Sequence, residues 1–121
     1  MPIPRIQEVW PIASIAERPS VTLTDWQVFE VKLPNHSSKT RHFVGYCLED
    51  EFGQVSSAIQ QFDPITLRGA TESGRIYQLQ GKPGWHADAD HTWKRWKRIS
   101  SVTVEVDVTD SLKGGSAELP S

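Results

Sequence analysis

The segment from His86 to His91 combines residue types that could bind a metal ion. It places two histidines together with Asp88 and Asp90 within a few positions. Imidazole and carboxylate groups suit zinc or manganese, and in an extended chain the side chains at alternate positions lie on the same face. A structural zinc site usually also brings cysteines, and none lies nearby. We therefore interpret the two aspartates as helix-start residues, and no metal ligand is predicted.

Cys47 is the only residue that could serve as a thiol nucleophile, with His42 or His36 as its base. Such a pair needs a depressed thiol pKa and a third group that orients the histidine. The spacing shows neither feature. A lone cysteine inside an apolar strand usually packs as a small hydrophobic residue. No catalytic residue is therefore predicted.

The motifs of the common enzyme classes are missing from the sequence. There is no Gly-x-Ser-x-Gly elbow, no phosphate-binding loop, no dinucleotide fingerprint and no His-Glu-x-x-His. The turn Gly81–Gly84 is too short and too rigid at its proline to surround a phosphate. These absences favour a non-catalytic protein without a cofactor.

Basic residues surround two tryptophans in the run from Trp93 to Arg98, a composition that could bind single-stranded nucleic acid. At helical spacing, however, Trp93 and Trp96 fall on one stripe that the cations mostly avoid. We expect the rings to pack against a sheet and the cations to face water. Nucleic-acid binding stays as the alternative function, through a basic surface formed by Arg75, Lys82, Lys94, Arg95, Lys97 and Arg98.

The period of the apolar residues predicts one helix over Asp88–Arg98. Asp88 or Asp90 can cap its start, and cations fill its last turns, where they oppose the helix dipole. Its apolar stripe consists of Ala89, Trp93, Trp96 and Ser100.

Most of the remaining sequence alternates with the period of β-strands. The predicted strands are Trp26–Leu33, Arg41–Leu48, Gln54–Phe62, Ile65–Thr71, Arg75–Gly81 and Val102–Val108. This order predicts a mainly β fold, a curled or partly closed antiparallel sheet of five to seven strands with one helix packed before the last strand. A two-layer α+β sheet is the alternative. Residues 1–19 carry four prolines, and their pattern fits either short edge strands or a helical turn.

Length and charge limit the class of protein. A chain of 121 residues is expected to form one domain, here over residues 1–110, and residues 111–121 are predicted to be a disordered tail. The net charge of −2 gives no global field that would recruit nucleic acid or an acidic membrane. A single cysteine fits a reducing compartment, and there is no long apolar segment. We expect a soluble cytoplasmic protein that does not bind membranes.

The aromatic residues indicate where a partner could bind. Trp10, Trp26, Trp85 and Tyr77 exceed what one small core needs, so some of these rings should form an exposed patch or line a cleft. The candidates are Trp85, Tyr77 and Trp10, with Trp85 preferred because it follows the Pro83-Gly84 turn. The expected function is a binding module for a protein partner or a small ligand. A self-complementary patch would form a homodimer.

Three stretches carry a resemblance: 41–64, with His-Phe-Val-Gly-Tyr and Phe-Asp-Pro; 71–84, with Thr-Glu-Ser-Gly-Arg-Ile-Tyr and Gly-Lys-Pro-Gly; and 91–96. Together they resemble small uncharacterised proteins carried on proteobacterial plasmids, integrative elements and gene cassettes. The resemblance covers about half of the chain and implies an accessory role on mobile DNA. It transfers no catalytic or binding residue.

Overall fold

The computed structural model describes residues 16–113. The part of the chain that it describes forms seven strands and two helices. The strands are β1 (Ser20–Lys32), β2 (Thr40–Cys47), β3 (Phe52–Val55), β4 (Ile59–Asp63), β5 (Arg68–Thr71), β6 (Ile76–Leu79) and β7 (Val104–Asp107). The helices are α1 (Ala87–Ser100) and α2 (Thr109–Lys113). None of the described helices is long and apolar enough to cross a membrane.

All seven strands belong to one sheet, in the order β3-β2-β1-β6-β5-β4, with β7 also pairing with β1. The pairs are antiparallel except β1 with β6, which run parallel. The predicted strand-rich fold, with one main helix before the last strand, is confirmed. The sheet curls, and this brings the rings of Phe43 in β2 and Phe62 in β4 to 5.8 Å between centroids. It does not close, because the strand order runs from β3 at one end to β4 at the other.

A β-bulge in β1 changes which of its residues face each side of the sheet. The register with β2 shifts between Thr24 and Gln27, and Asp25 takes a left-handed conformation with φ 48°. Because the bulge adds one residue, the alternation of side chains moves by one position. Trp26 therefore lies on the same face as Leu23. The sequence pattern predicted the start of this strand at Trp26 rather than at Ser20, because the bulge interrupts the strict alternation of apolar residues.

The two faces of the sheet are covered in different ways. The inner face of the curled sheet buries a cluster of eight residues, which includes Trp26, Phe43 and Tyr77. The other face is covered by α1, which packs Trp93 and Trp96 with Ala89 against β1, β2 and β3. Strand β2 is buried on both faces, because its residues contribute to both clusters.

Helix α1 has the predicted apolar face, but its cap differs from the prediction. The His86 ring accepts a hydrogen bond from the Asp88 backbone N–H at 3.0 Å, so His86 is the N-cap and both aspartates lie in the first turn. The helix approaches β3 at Gly53, where an added Cβ would lie 2.3 Å from the carbonyl oxygen of Asp88. Gly53 is therefore needed for close packing, and Glu51 takes the left-handed conformation of the preceding turn.

Two other boundaries differ from the sequence pattern. The single strand predicted over Gln54–Phe62 is two strands, because the chain leaves β3 after Val55 and begins β4 at Ile59. Between them, Ser56 is buried and its hydroxyl accepts a hydrogen bond from the backbone N–H of Phe43. The strand predicted from Ile65 begins at Arg68, because residues 64–67 form a turn in which the backbone N–H groups of Ile65 and Thr66 donate to the Asp63 carboxylate.

The first three residues of the predicted tail, 111–113, belong to a helix. Asp107 accepts hydrogen bonds from the backbone N–H and the hydroxyl of Thr109, and α2 follows over Thr109–Lys113. The Thr109 hydroxyl also accepts from the Val28 backbone N–H at 2.9 Å, which fastens this segment to β1. Residues 114–121 of the predicted tail, and residues 1–15 with their open prediction, lie outside the described residues.

Candidate partner-binding surface

Trp85 lies on a loop that is held firmly against β1. The Trp26 indole donates to the carbonyl of Gly81 at 3.1 Å, and the Gly84 N–H donates to the carbonyl of Trp26 at 3.1 Å. The Gln80 N–H donates to the carbonyl of Leu23. Trp85 follows directly and leaves 63% of its surface exposed, as the sequence predicted for a ring on this loop.

Polar and aromatic groups lie on the residues next to Trp85 in the sequence and against its loop. The neighbouring His86 stacks on Tyr46 of β2, with ring centroids 4.4 Å apart. The carboxylate of Asp25 lies close to Gly84, at 3.1 Å from the position of an added Cβ, and the exposed Asp88 lies in the first turn of α1. We call these five residues, Asp25, Tyr46, Trp85, His86 and Asp88, the Trp85 surface. It combines an exposed indole with two carboxylates.

The other aromatic candidates do not join Trp85. Tyr77 is buried in the inner core, where its hydroxyl accepts from the Gln54 amide at 3.2 Å and its ring lies 5.6 Å from that of Phe43. Burial raises the pKa of the Tyr77 hydroxyl. Because β6 is covered by the curled sheet, Tyr77 is a core residue rather than a ligand contact. Trp10 lies outside the described residues.

The six predicted basic residues do not form one surface. Arg75 is buried, and its guanidinium donates to the carbonyl of Arg18 at 2.9 Å. Lys82 is exposed on the loop before the start of α1, whereas the other four cations lie on the last turns of that helix. The sequence could not show this separation, because only the tertiary fold sets the position of the hairpin relative to the helix.

A groove of about 640 Å³ runs between the last turns of α1 and β7. Its charged lining consists of Lys94, Lys97, Arg98 and Glu105. Glu105 accepts from Lys97 at 2.6 Å and from the Trp93 indole at 3.0 Å, and these hydrogen bonds hold its pKa below the usual value, against the opposing effect of burial. Lys94 pairs with Asp90 at 3.0 Å. The groove therefore keeps a positive charge, chiefly at the exposed Arg98.

Trp93 and Trp96 are buried, as the stripe predicted, and belong to a stack of four rings. Phe29 stacks on Trp93 at 4.7 Å, Trp93 on Trp96 at 5.3 Å, and Trp96 contacts His42 at 4.8 Å. These indoles are not available to stack on nucleic-acid bases.

Cys47 does not form a nucleophilic pair with His42. The thiol lies in the inner core, whereas the imidazole lies on the opposite face of β2 against Trp96. Burial raises the pKa of Cys47 to about 12. The two His42 ring nitrogens are already engaged with Thr40 and the carbonyl of Ser56, each at 2.8 Å. A thiol that stays protonated, beside a histidine that faces away, cannot act as a nucleophile.

The histidine–aspartate segment serves the helix start. His86 caps α1, and Asp90 pairs with Lys94. Within residues 16–113, no three His, Cys, Asp or Glu side chains come close enough to hold a metal ion.

One exposed feature was missed by the sequence analysis. The four residues of β7 are all exposed, with Val104 at 42% and Val106 at 45%, although strict alternation is typical of a strand with one buried face. Glu105 instead faces α1, where it accepts hydrogen bonds from Trp93 and Lys97. The predicted strand Val102–Val108 is also reduced to Val104–Asp107, and the acidic residues between its valines were the sequence signal for an edge position.

Comparison with protein-family models, with curated proteins and with solved structures found no match to this chain. The resemblance to proteins of mobile elements therefore stays a prediction.

Proposed function

We propose that the protein is a non-catalytic binding module whose Trp85 surface contacts basic side chains of a protein partner. The observation that carries this proposal is the exposed indole of Trp85 on a loop anchored by three hydrogen bonds. A large ring on a fixed backbone loses little conformational entropy when it binds, and tryptophan is enriched among residues that dominate interface energies.

The surrounding charges define the chemistry of the partner. Asp25, which lies against Gly84 of the loop, and Asp88, three residues after Trp85, are exposed carboxylates. An indole face attracts a lysine or arginine cation, and a nearby carboxylate adds a hydrogen-bonded ion pair. The ring leaves 63% of its surface exposed, which suits the broad surface of a macromolecule better than an enclosed small-ligand site.

The test follows the tryptophan indole N–H signals of isotope-labelled protein by NMR during titration with an oligo-arginine peptide. We expect the Trp85 signal to shift with this peptide and to stay fixed with an oligo-glutamate peptide of equal length. Trp85→Ala should weaken binding by about thirtyfold, the effect of removing an interface residue worth about 2 kcal/mol.

The matched control is Ile65→Ala, because Ile65 is 89% exposed on the turn between β4 and β5 and takes part in none of the hydrogen bonds that anchor the Trp85 loop. It should bind the oligo-arginine peptide as the wild type does. An unchanged Trp85 signal, or equal affinity of Trp85→Ala and wild type, would show that this surface does not bind cations.

Nucleic-acid binding is the second candidate function, and the groove beside α1 supports it. Lys94, Lys97 and Arg98 line this groove and could contact phosphates. Because Trp93 and Trp96 are buried, such binding would depend on phosphate contacts alone and would show little sequence preference.

A further inference from the structure

The outer edge of β7 is an unused strand edge. Within the described residues β7 pairs with β1 alone. The Val108 N–H donates to the carbonyl of Val28 at 2.9 Å. Successive residues of an antiparallel strand direct their backbone N–H and C=O groups to opposite sides. The backbone groups of Val106 therefore point toward β1, like those of Val108, and the backbone groups of Glu105 and Asp107 point outward.

The two faces of this edge have different chemistry. Val104 and Val106 are half-exposed on the face away from α1, beside Lys32 and Glu30 in the register with β1. Glu105 lies on the face toward α1 and lines the groove together with Lys94, Lys97 and Arg98, and alternation places Asp107 on the same face of the strand. An added strand would therefore need apolar residues on one face and acidic residues on the other.

We propose that a second copy of this chain occupies the edge, with the two β7 strands paired antiparallel about a two-fold axis at Val106. Residues 104–107 themselves read Val-Glu-Val-Asp, which is the alternation of apolar and acidic residues that the edge requires. Glu105 and Asp107 of each copy would exchange backbone hydrogen bonds with Asp107 and Glu105 of the other. A symmetric interface of this kind uses the same patch twice.

Charge complementarity favours this occupant. In the groove, Lys94 is paired with Asp90 and Lys97 with Glu105, which leaves Arg98 with no acidic partner among the described residues. Asp107 accepts hydrogen bonds from Thr109 and Gln27 but has no cationic partner among the same residues. The two-fold pairing brings Asp107 of the second copy to the groove beside Arg98, where the ion pair also offsets the repulsion between facing carboxylates.

The first experiment is sedimentation equilibrium over a wide range of protein concentration. The wild type should change from the mass of one chain to the mass of two as concentration rises. Val106→Lys places two cations face to face at the axis and should weaken the dimer by about a hundredfold. Ile65→Lys introduces the same charge on the β4–β5 turn and should dimerise as the wild type does. A wild type that stays monomeric would overturn the proposal.

The second experiment tests the register and does not depend on the folding of a lysine variant. Residues directly opposite in a pair without mutual hydrogen bonds lie about 4.5 Å apart between Cα atoms, which a disulfide can span. Val106→Cys should therefore form a covalent dimer quickly when oxidised by copper phenanthroline. Val104→Cys should react slowly, because its counterpart lies about 13 Å further along the paired strand. Equal rates for both variants would contradict this arrangement.

A third measurement distinguishes a second copy of this chain from a strand of a different protein as the occupant of the edge. A peptide of alternating valine and glutamate could pair with β7 without any dimer. If labelled protein stays monomeric while this peptide shifts the NMR signals of residues 104–107, the edge serves a different protein and the homodimer proposal is wrong. If the peptide instead competes with dimerisation, it confirms that the dimer uses this edge.

Discussion

His42 shows how a single polar residue is accommodated under the helix. It is buried, its two ring nitrogens are hydrogen-bonded, and its ring contacts Trp96. Burial lowers its pKa from the ordinary value of 6.5, partly offset by the hydrogen bond to Ser56. The neutral ring is therefore part of the folded structure, and adding a proton there opposes folding.

The stability of the protein should depend on pH through His42. Because the folded-state pKa is lower than the unfolded one, the unfolded chain binds the proton more readily. Stability is then complete above the unfolded pKa and is lost as the pH falls from about 6.5 toward the folded pKa. The measurement is the free energy of unfolding by denaturant between about pH 8 and pH 5.

The variant His42→Gln isolates this effect, since glutamine stays neutral over the same range. It should be less stable than the wild type near neutral pH, because it loses the ring contact with Trp96. The difference between the two proteins should shrink as the pH falls. A difference that is constant with pH would contradict the assignment to His42.

At the scale of elements, helix α1 is fastened to the sheet by its stack of rings. Trp93 lies in the middle of the stack and also donates from its indole to Glu105 of β7. Lys97 lies over the Trp93 ring, at 5.4 Å from its centroid, and pairs with the same glutamate. Trp93 thus links α1 to both β1 and β7.

Shortening Trp93 should therefore be more harmful than removing only its hydrogen bond. Trp93→Ala should lower the free energy of unfolding by about 3–5 kcal/mol, the usual cost of deleting a buried large aromatic ring. Trp93→Phe keeps a ring in the stack and should cost clearly less, although it loses the bond to Glu105. Denaturant unfolding of both variants measures the two effects. Equal losses would mean that the stack contributes little to docking.

At the scale of the whole molecule, charge is divided between the two ends of α1. Asp88 and Asp90 lie in the first turn, and the Trp85 surface is beside them. The cations of the last turn lie at the opposite end and line the groove beside β7. The two proposed contacts, with a basic partner and with a second copy, therefore use separate parts of the molecule.

This division allows the nucleic-acid alternative to be tested separately. Two of the four helix cations are in ion pairs, so we expect no binding of labelled duplex or single-stranded DNA at physiological salt. Binding through three or four phosphates would instead fall with salt with a log–log slope of about −3 for duplex DNA. A steep slope that disappears in Arg95→Ala/Arg98→Ala would establish the alternative.

The sequence by itself determined the local elements with strong periodic patterns. The stripe of Trp93 and Trp96 predicted a helix docked on a sheet, because two large rings at helical spacing are too apolar to remain in water. Alternation within Arg41–Leu48 puts Phe43 and Cys47 on one face of β2, since side chains on a strand repeat every second residue. Trp85 was predicted to be exposed from the turn that precedes it.

Only the tertiary structure decided what depends on contacts distant in sequence. The bulge at Asp25 moves β1 by one position, and β6 pairs with β1 in parallel because the chain returns through β4 and β5. Tyr77 is buried because the sheet curls over it, while Val104 and Val106 are exposed because no described strand lies beyond β7. Local sequence records which residues are apolar, but not which of them the sheet order covers.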